Sequence, residues 1–127
     1  MGDAAETIQE REAAGGSLAR ILVVEDDPLV RTVLSKALMG FGCRIDSVAG
    51  GDEASELITK EVYDVVLSDV NLPGKKGMQL LRQCRQTSPH TEFILVTGEP
   101  SVDAAVASIK DGAYDYLSKP FKASELR

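Results

Sequence analysis

The sequence predicts an α/β fold, a doubly wound five-stranded parallel sheet with helices on both faces. Three observations carry this. Short apolar runs alternate with segments of helical periodicity from residue 20 to residue 117. The runs at 21–24, 65–67 and 93–96 are apolar throughout, as strands covered on both faces should be. The 127 residues suffice for one such domain and not for two.

Residues 1–19 are rich in Ala, Glu and Gly and end in Gly15-Gly16-Ser17, the composition of a flexible tail. Ile21–Val24 is the first strand. Val30, Leu34, Ala37, Leu38 and Phe41 then recur at helical spacing. Asp27 suits the helix cap and Pro28 the first turn, where its missing N–H would be unpaired anyway; Gly40 and Gly42 supply the stop. Cys43–Val48 is a strand, and Asp52–Lys60 a helix with Ala54, Leu57 and Ile58 inward. Asp64–Ser68 is the third strand. Gly77–Gln86 is a helix ending before Pro89. Phe93–Val96 is the fourth strand, Ser101–Asp111 a helix with Val102, Ala105, Val106 and Ile109 on one face, and Tyr114–Leu117 the fifth strand.

Strands 43–48 and 114–117 mix polar with apolar residues, which suits sheet edges. Edges at the second and last strands imply the order 2-1-3-4-5, the flavodoxin-like winding, with the ligand site at the C-terminal ends of strands 1 and 3. Six residues follow Phe121, enough to begin a fifth helix and not to complete it. The expectation is a truncated last helix, apolar surface left uncovered beside strands 1 and 5, and a fold occupying residues 20–127.

Composition excludes several classes. Hydrophobic residues are 43% and charged residues 27%, an ordinary globular balance. No apolar run approaches the ~20 residues of a membrane span, and the acidic N-terminus lacks the apolar core of a secretory signal. A net charge of −6 with no Trp makes a poor binder of nucleic acid or anionic membrane. Cys43 and Cys84 fall in different elements without metal-ligand spacing, the pattern of reduced thiols in a cytoplasmic protein.

The sharpest feature is where charge falls. Glu25, Asp26 and Asp27 directly follow the first strand, Asp69 the third, Thr97 the fourth, and Lys119-Pro120 the fifth. In a doubly wound sheet these positions converge on one rim. Carboxylates gathered there repel one another unless a cation lies between them, and Mg2+ suits an all-oxygen site that keeps several waters. Asn71-Leu72-Pro73-Gly74 after Asp69 re-aims the backbone just past the sheet. Acid, metal, lysine and hydroxyl together are what phosphoryl transfer to a carboxylate requires.

Four blocks carry a resemblance. Ile21-Leu-Val-Val-Glu-Asp-Asp-Pro28, Val65-Val-Leu-Ser-Asp-Val-Asn-Leu-Pro-Gly-Lys-Lys-Gly77, Ile94-Leu-Val-Thr-Gly98 and Ala113-Tyr-Asp-Tyr-Leu-Ser-Lys-Pro-Phe121 resemble the receiver domain of two-component response regulators, from about Arg20 to the end of the chain. The resemblance implies that Asp69 accepts a phosphoryl group from a sensor histidine kinase or phosphotransfer protein. It implies Mg2+ bound by Asp26 directly, by Glu25 through water, by Asp69 and by the backbone carbonyl of Asn71. Lys119, helped by a cis bond before Pro120, would pair with the phosphoryl oxygens. Thr97 would move to donate a hydrogen bond to them while Tyr116 turns inward. The switching face would be the fourth helix and fifth strand, and a homodimer would form through that face and the fifth helix. The last block also resembles the receivers of enhancer-dependent transcription activators, a phrasing shared by hybrid kinases and stand-alone receivers.

Other residues near the rim read more plainly. Tyr114 lies two positions before Tyr116, so strand alternation places both on one side, Tyr114 as edge packing. Gly98 leaves an approach to the phosphoryl group open or serves only as a turn. Asn71 and Glu99 occupy positions that tune acyl-phosphate hydrolysis in the resembled family. His90, Lys75 and Lys76 read as solvated polar residues. Other functions fit less well. A haloacid-dehalogenase-type phosphatase needs an acid two positions after its nucleophile, where Asn71 stands. A flavodoxin-like cofactor binder needs a phosphate-cradling turn, where Glu25-Asp26-Asp27 would repel the ligand. No GxGxxG supports a dinucleotide. A receiver that cannot be phosphorylated would not need the complete residue set.

Overall fold

Alternation of two-faced apolar strands with amphipathic helices gives one layered sheet. The computed structural model describes residues 19–40, 42–98 and 101–119. In chain order the elements are β1 (Arg20–Val24), α1 (Pro28–Met39), β2 (Arg44–Val48), α2 (Gly51–Lys60), β3 (Val65–Asp69), α3 (Gly77–Thr87), β4 (Glu92–Thr97), α4 (Val102–Lys110) and β5 (Asp115–Ser118). All neighbouring strands pair in parallel, in the order β2-β1-β3-β4-β5. The expected order and both expected edges are found. The tail over residues 1–18, Phe41, Glu99, Pro120 and the start of a fifth helix lie outside the described residues.

Because strand side chains alternate, each apolar run feeds two cores. Leu22, Val24, Val66, Phe93 and Leu95 meet Ala54 and Ile58 of α2 and Leu80, Leu81 and Cys84 of α3 on one face. Ile21, Val23, Val65, Leu67, Ile94 and Val96 meet Leu34 and Leu38 of α1 on the other. Burial of each large side chain contributes up to about 1.5–3 kcal/mol. Ala19, placed by composition at the end of the tail, is buried, and its carbonyl accepts the Arg44 N–H at 2.8 Å. Cys43 packs with the α1 face and Cys84 with the opposite one, so the sheet separates the two thiols.

The caps follow from their residues. Asp27 accepts from the N–H groups of Leu29 and Val30 with Pro28 at the first helical position. Ser101 caps α4 through Ala104 N–H at 3.1 Å. Gly42 (φ 73°) and Gly112 (φ 99°) follow α1 and α4 in the left-handed region that favours glycine.

Two expectations are corrected. Tyr114 and Tyr116 lie on opposite faces: Tyr116 packs against the α2/α3 core, Tyr114 against the α1 core. Strand pairing begins at Asp115, so alternation does not extend back to Tyr114. The apolar strip of α4 is also not its inward face. Ser108 is its buried residue, whereas Val102, Val106 and Ile109 are exposed, Val102 at 79%. The small Ala104, Ala105 and Ser108 side let the helix lie close to the body of the domain. Among the described residues, no helix is long and apolar enough to cross a membrane.

Candidate functional site

Register alone assembles the site. Val24 lies opposite Ser68, so Glu25, the first residue after β1, and Asp69, the last of β3, stand abreast. Asp69, the last residue of β3 rather than the first beyond it, pairs with Val96. Thr97 ends β4 opposite Ser118, and Lys119 comes next. The Lys119 N–H donates to Thr97 O at 2.7 Å, which aims the lysine back across the strand ends. Its Nζ lies 2.8 Å from both carboxylate oxygens of Glu25 and 2.7 Å from Asp69 Oδ2.

The acids differ sharply in surroundings. Glu25 is 2% and Asp69 7% exposed, whereas Asp26 faces solvent. Glu25 is tied at both backbone groups. Its N–H donates to Val48 O at 3.1 Å, and its carbonyl accepts from Arg31 Nη1 at 2.8 Å. Asp69 Oδ1 accepts the Asn71 N–H at 3.0 Å. Burial pushes the Glu25 carboxyl above its ordinary value, Lys119 opposes this, and the Asp69 carboxylate reinforces it. Burial alone would lower the Lys119 ammonium. The hydrogen bonds and charges of Asp69 and Glu25 outweigh it, and the ammonium is held above the ordinary lysine value.

One oxygen from each of Glu25, Asp26 and Asp69 can gather within 4.8 Å. Three carboxylates against one ammonium leave two formal negative charges at this rim. A divalent cation offsets that excess, and the all-oxygen donor set fits Mg2+. The rim can therefore hold a hard cation beside a carboxylate that already has one oxygen facing an ammonium and the other a backbone N–H.

The remaining expected residues fall around this rim. Thr97 is 2% exposed at the end of β4, and Tyr116 is half-buried on β5. A Cβ on Gly98 would meet nothing within 4 Å, so the approach beside Thr97 is open. Asp27 is the α1 cap. Lys75 and Lys76 are exposed, as expected of solvated residues, and their ammoniums donate to Ser55 Oγ at 2.9 Å and to Leu72 O at 2.8 Å.

Two contributors escaped the sequence reading. Arg31 holds the Glu25 carbonyl from one turn inside α1; its only signal is a basic residue a turn beyond the Asp27 cap. Gly77 opens α3, where propensity gives no reason for glycine. A Cβ there would collide with the Asp69 carbonyl oxygen and come within 2.9 Å of Val70 Cα. The bare backbone at Gly77 lets the helix start against the strand that carries Asp69.

Comparison with known proteins places this arrangement. The chain is 40% identical over 103 residues to the DNA-binding transcriptional regulator NtrC of Klebsiella pneumoniae, covering 81% of this chain and 22% of NtrC. It therefore spans about a fifth of that relative's length. Among solved structures, a CheY-like response regulator receiver domain from Methanospirillum hungatei superposes with a TM-score of 0.82 at 32% identity, covering 87% of this chain and 88% of the other. The beryllofluoride-activated NtrC4 receiver domain dimer matches with a TM-score of 0.80 at 34% identity, covering 84% and 88%. The response regulator receiver domain family itself matches residues 21–127, from β1 through the rim and Lys119 to the last residue, and the chain belongs to that family.

Proposed function

We propose that this receiver domain is a phosphorylation-activated switch in which Asp69 is the phosphoacceptor. The observation that carries the reading is the buried Asp69 carboxylate held between the Lys119 ammonium and the Asn71 N–H. A carboxylate oxygen of Asp69 attacks the phosphorus of a kinase or phosphotransfer-protein phosphohistidine. The O–P bond forms as the P–N bond breaks, and the imidazole nitrogen keeps the electron pair and takes up a proton. Bound Mg2+ supplies stabilisation of the charge spread over the phosphoryl oxygens. Asp26, Asp69 and the Asn71 carbonyl would hold it directly and Glu25 through water.

Lys119 then faces a phosphoryl group with more negative charge and more acceptor oxygens than the carboxylate it replaces. Thr97 gains the same partner. It ends β4, from which the chain runs through Gly98 into the segment before α4, and its carbonyl holds Lys119 N–H at the end of β5. A shift at Thr97 is thereby passed to α4 and to Tyr116 on β5, the element that switches. The exposed Val102, Val106 and Ile109 strip makes this face partner-ready, and a homodimer through α4 and β5 is the expected assembly in the cytoplasm. The structural relative named as a beryllofluoride-activated dimer supports both parts of the reading.

Intact-mass measurement after incubation with Mg2+ and a small acyl-phosphate donor tests it. One phosphoryl adduct on the native chain and none on Asp69→Asn is the expected result. An equal adduct on both chains overturns it.

A further inference from the structure

The loop between Asp69 and α3 is anchored at Asn71's two neighbours by Val70 N–H, which donates to Val96 O at 2.9 Å, and by the buried Leu72. Beyond them it is fastened by the start of α2, whose Asp52 and Glu53 line one pocket with Asp26 of the rim. Gly51 N–H donates to Pro73 O at 3.0 Å, and Lys75 N–H donates to Asp52 Oδ1 at 3.2 Å. Lys75 Nζ donates to Ser55 Oγ at 2.9 Å, and that hydroxyl donates onward to Gln83 Oε1 of α3 at 2.7 Å. The approach is too close for side chains. A Cβ on Gly51 would collide with the Lys75 carbonyl oxygen, and one on Gly74 (φ 75°) would lie 2.6 Å from Asp52 Oδ2. At the other end of the loop, Asn71 N–H is bound to Asp69 Oδ1 at 3.0 Å.

We infer that the α2 first turn is a clasp whose Asp52 is a positioning residue for Asn71. By holding Lys75 N–H, Asp52 fixes the path of the loop from Asn71 to Gly77 and so the place of the Asn71 carbonyl. This rests on the reading that Asn71 supplies a backbone oxygen to Mg2+ beside Asp69. Residues that orient metal ligands set affinity without touching the metal. Asp52 is solvent-exposed, its Oδ1 accepts from the loop, and it belongs to neither core.

The experiment is an NMR-monitored Mg2+ titration of the full chain with Asp52→Ala and Asp52→Asn, together with amide hydrogen exchange at Lys75. Asp52→Ala is expected to weaken Mg2+ binding about tenfold, the lower end for residues that orient metal ligands, and to speed exchange of the Lys75 amide. Asp52→Asn keeps an acceptor oxygen without the charge, so it is expected to retain both properties. Native Mg2+ affinity in Asp52→Ala overturns the clasp alone. Equal weakening in both variants also overturns it, because the effect is then one of charge. A native chain that binds no Mg2+ overturns the reading of the site and the clasp with it.

Discussion

Lys119 and Asp69, 50 residues apart, meet at 2.7 Å, and the same ammonium holds both oxygens of the buried Glu25. The lysine thus does part of what a bound cation would do: it offsets crowded negative charge. Removing it should leave two buried carboxylates without their counter-charge. Lys119→Ala is expected to lose about 2 kcal/mol, less than the ~3–5 kcal/mol of a fully buried pair because the lysine is partly exposed. Mg2+ should restore much of this, raising the variant's Tm more than that of the native chain. Thermal unfolding with and without Mg2+ checks both; an equal Mg2+ effect on the two proteins would contradict the competition.

Asp27 separates from its two acidic neighbours by role. Asp27→Ala should cost about 1 kcal/mol of stability through the lost α1 cap, while phosphoryl uptake on Asp69 stays native. Urea unfolding and intact-mass measurement test the two halves. Lost uptake in a folded variant would place Asp27 in the site instead of the cap.

Two glycines near the rim make opposite demands. Gly77→Ala drives a methyl group into the Asp69 backbone and should destabilise by about 1–3 kcal/mol. Gly98→Ala meets nothing within 4 Å and should stay within about 0.5 kcal/mol of the native chain. Equal denaturant midpoints for the two variants would refute the packing difference.

At the opposite end of the sheet, burial and a 2.8 Å hydrogen bond to Asp46 raise the Tyr63 phenol above its ordinary value. The folded state therefore keeps a proton that the unfolded chain releases near pH 10. The associated stability is complete below that pH and declines as pH rises toward the folded-state value. An ultraviolet titration should show a late-ionising tyrosine that Tyr63→Phe removes. Persistence of that component in the variant would assign it to another residue.

Much of the architecture was legible because its cause is local. A strand buried on both faces must be apolar throughout, so 21–24, 65–67 and 93–96 announce the sheet centre, and Arg44 and Asp46 announce an edge. Asp27 before Pro28 announces a cap. Legibility failed where a neighbour distant in sequence decided. The apolar strip of α4 reads as a core face until the small Ala104, Ala105 and Ser108 side proves to be the inner one. Tyr114 and Tyr116 share a parity but not a face, because pairing with β4 starts between them. Lys75 is exposed, as its reading as a solvated residue expects, but its bond to Ser55, 20 residues earlier, leaves no mark in the sequence.

Glu25-Asp26-Asp27, Asp69, Thr97 and Lys119 at the ends of the first, third, fourth and fifth strands determine by themselves that an acidic rim forms, since parallel winding brings every strand's C-terminal end to one side. Which acid is buried, which is solvated and which caps a helix was decided only by the tertiary structure. Register sets Glu25 beside Asp69, Arg31 and Val48 fix its backbone, and Lys119 reaches both carboxylates from the far edge. Apart from the local Arg31 bond, such contacts depend on distances between segments 23 to 94 residues apart, and a linear pattern carries residue types and spacings but not those distances.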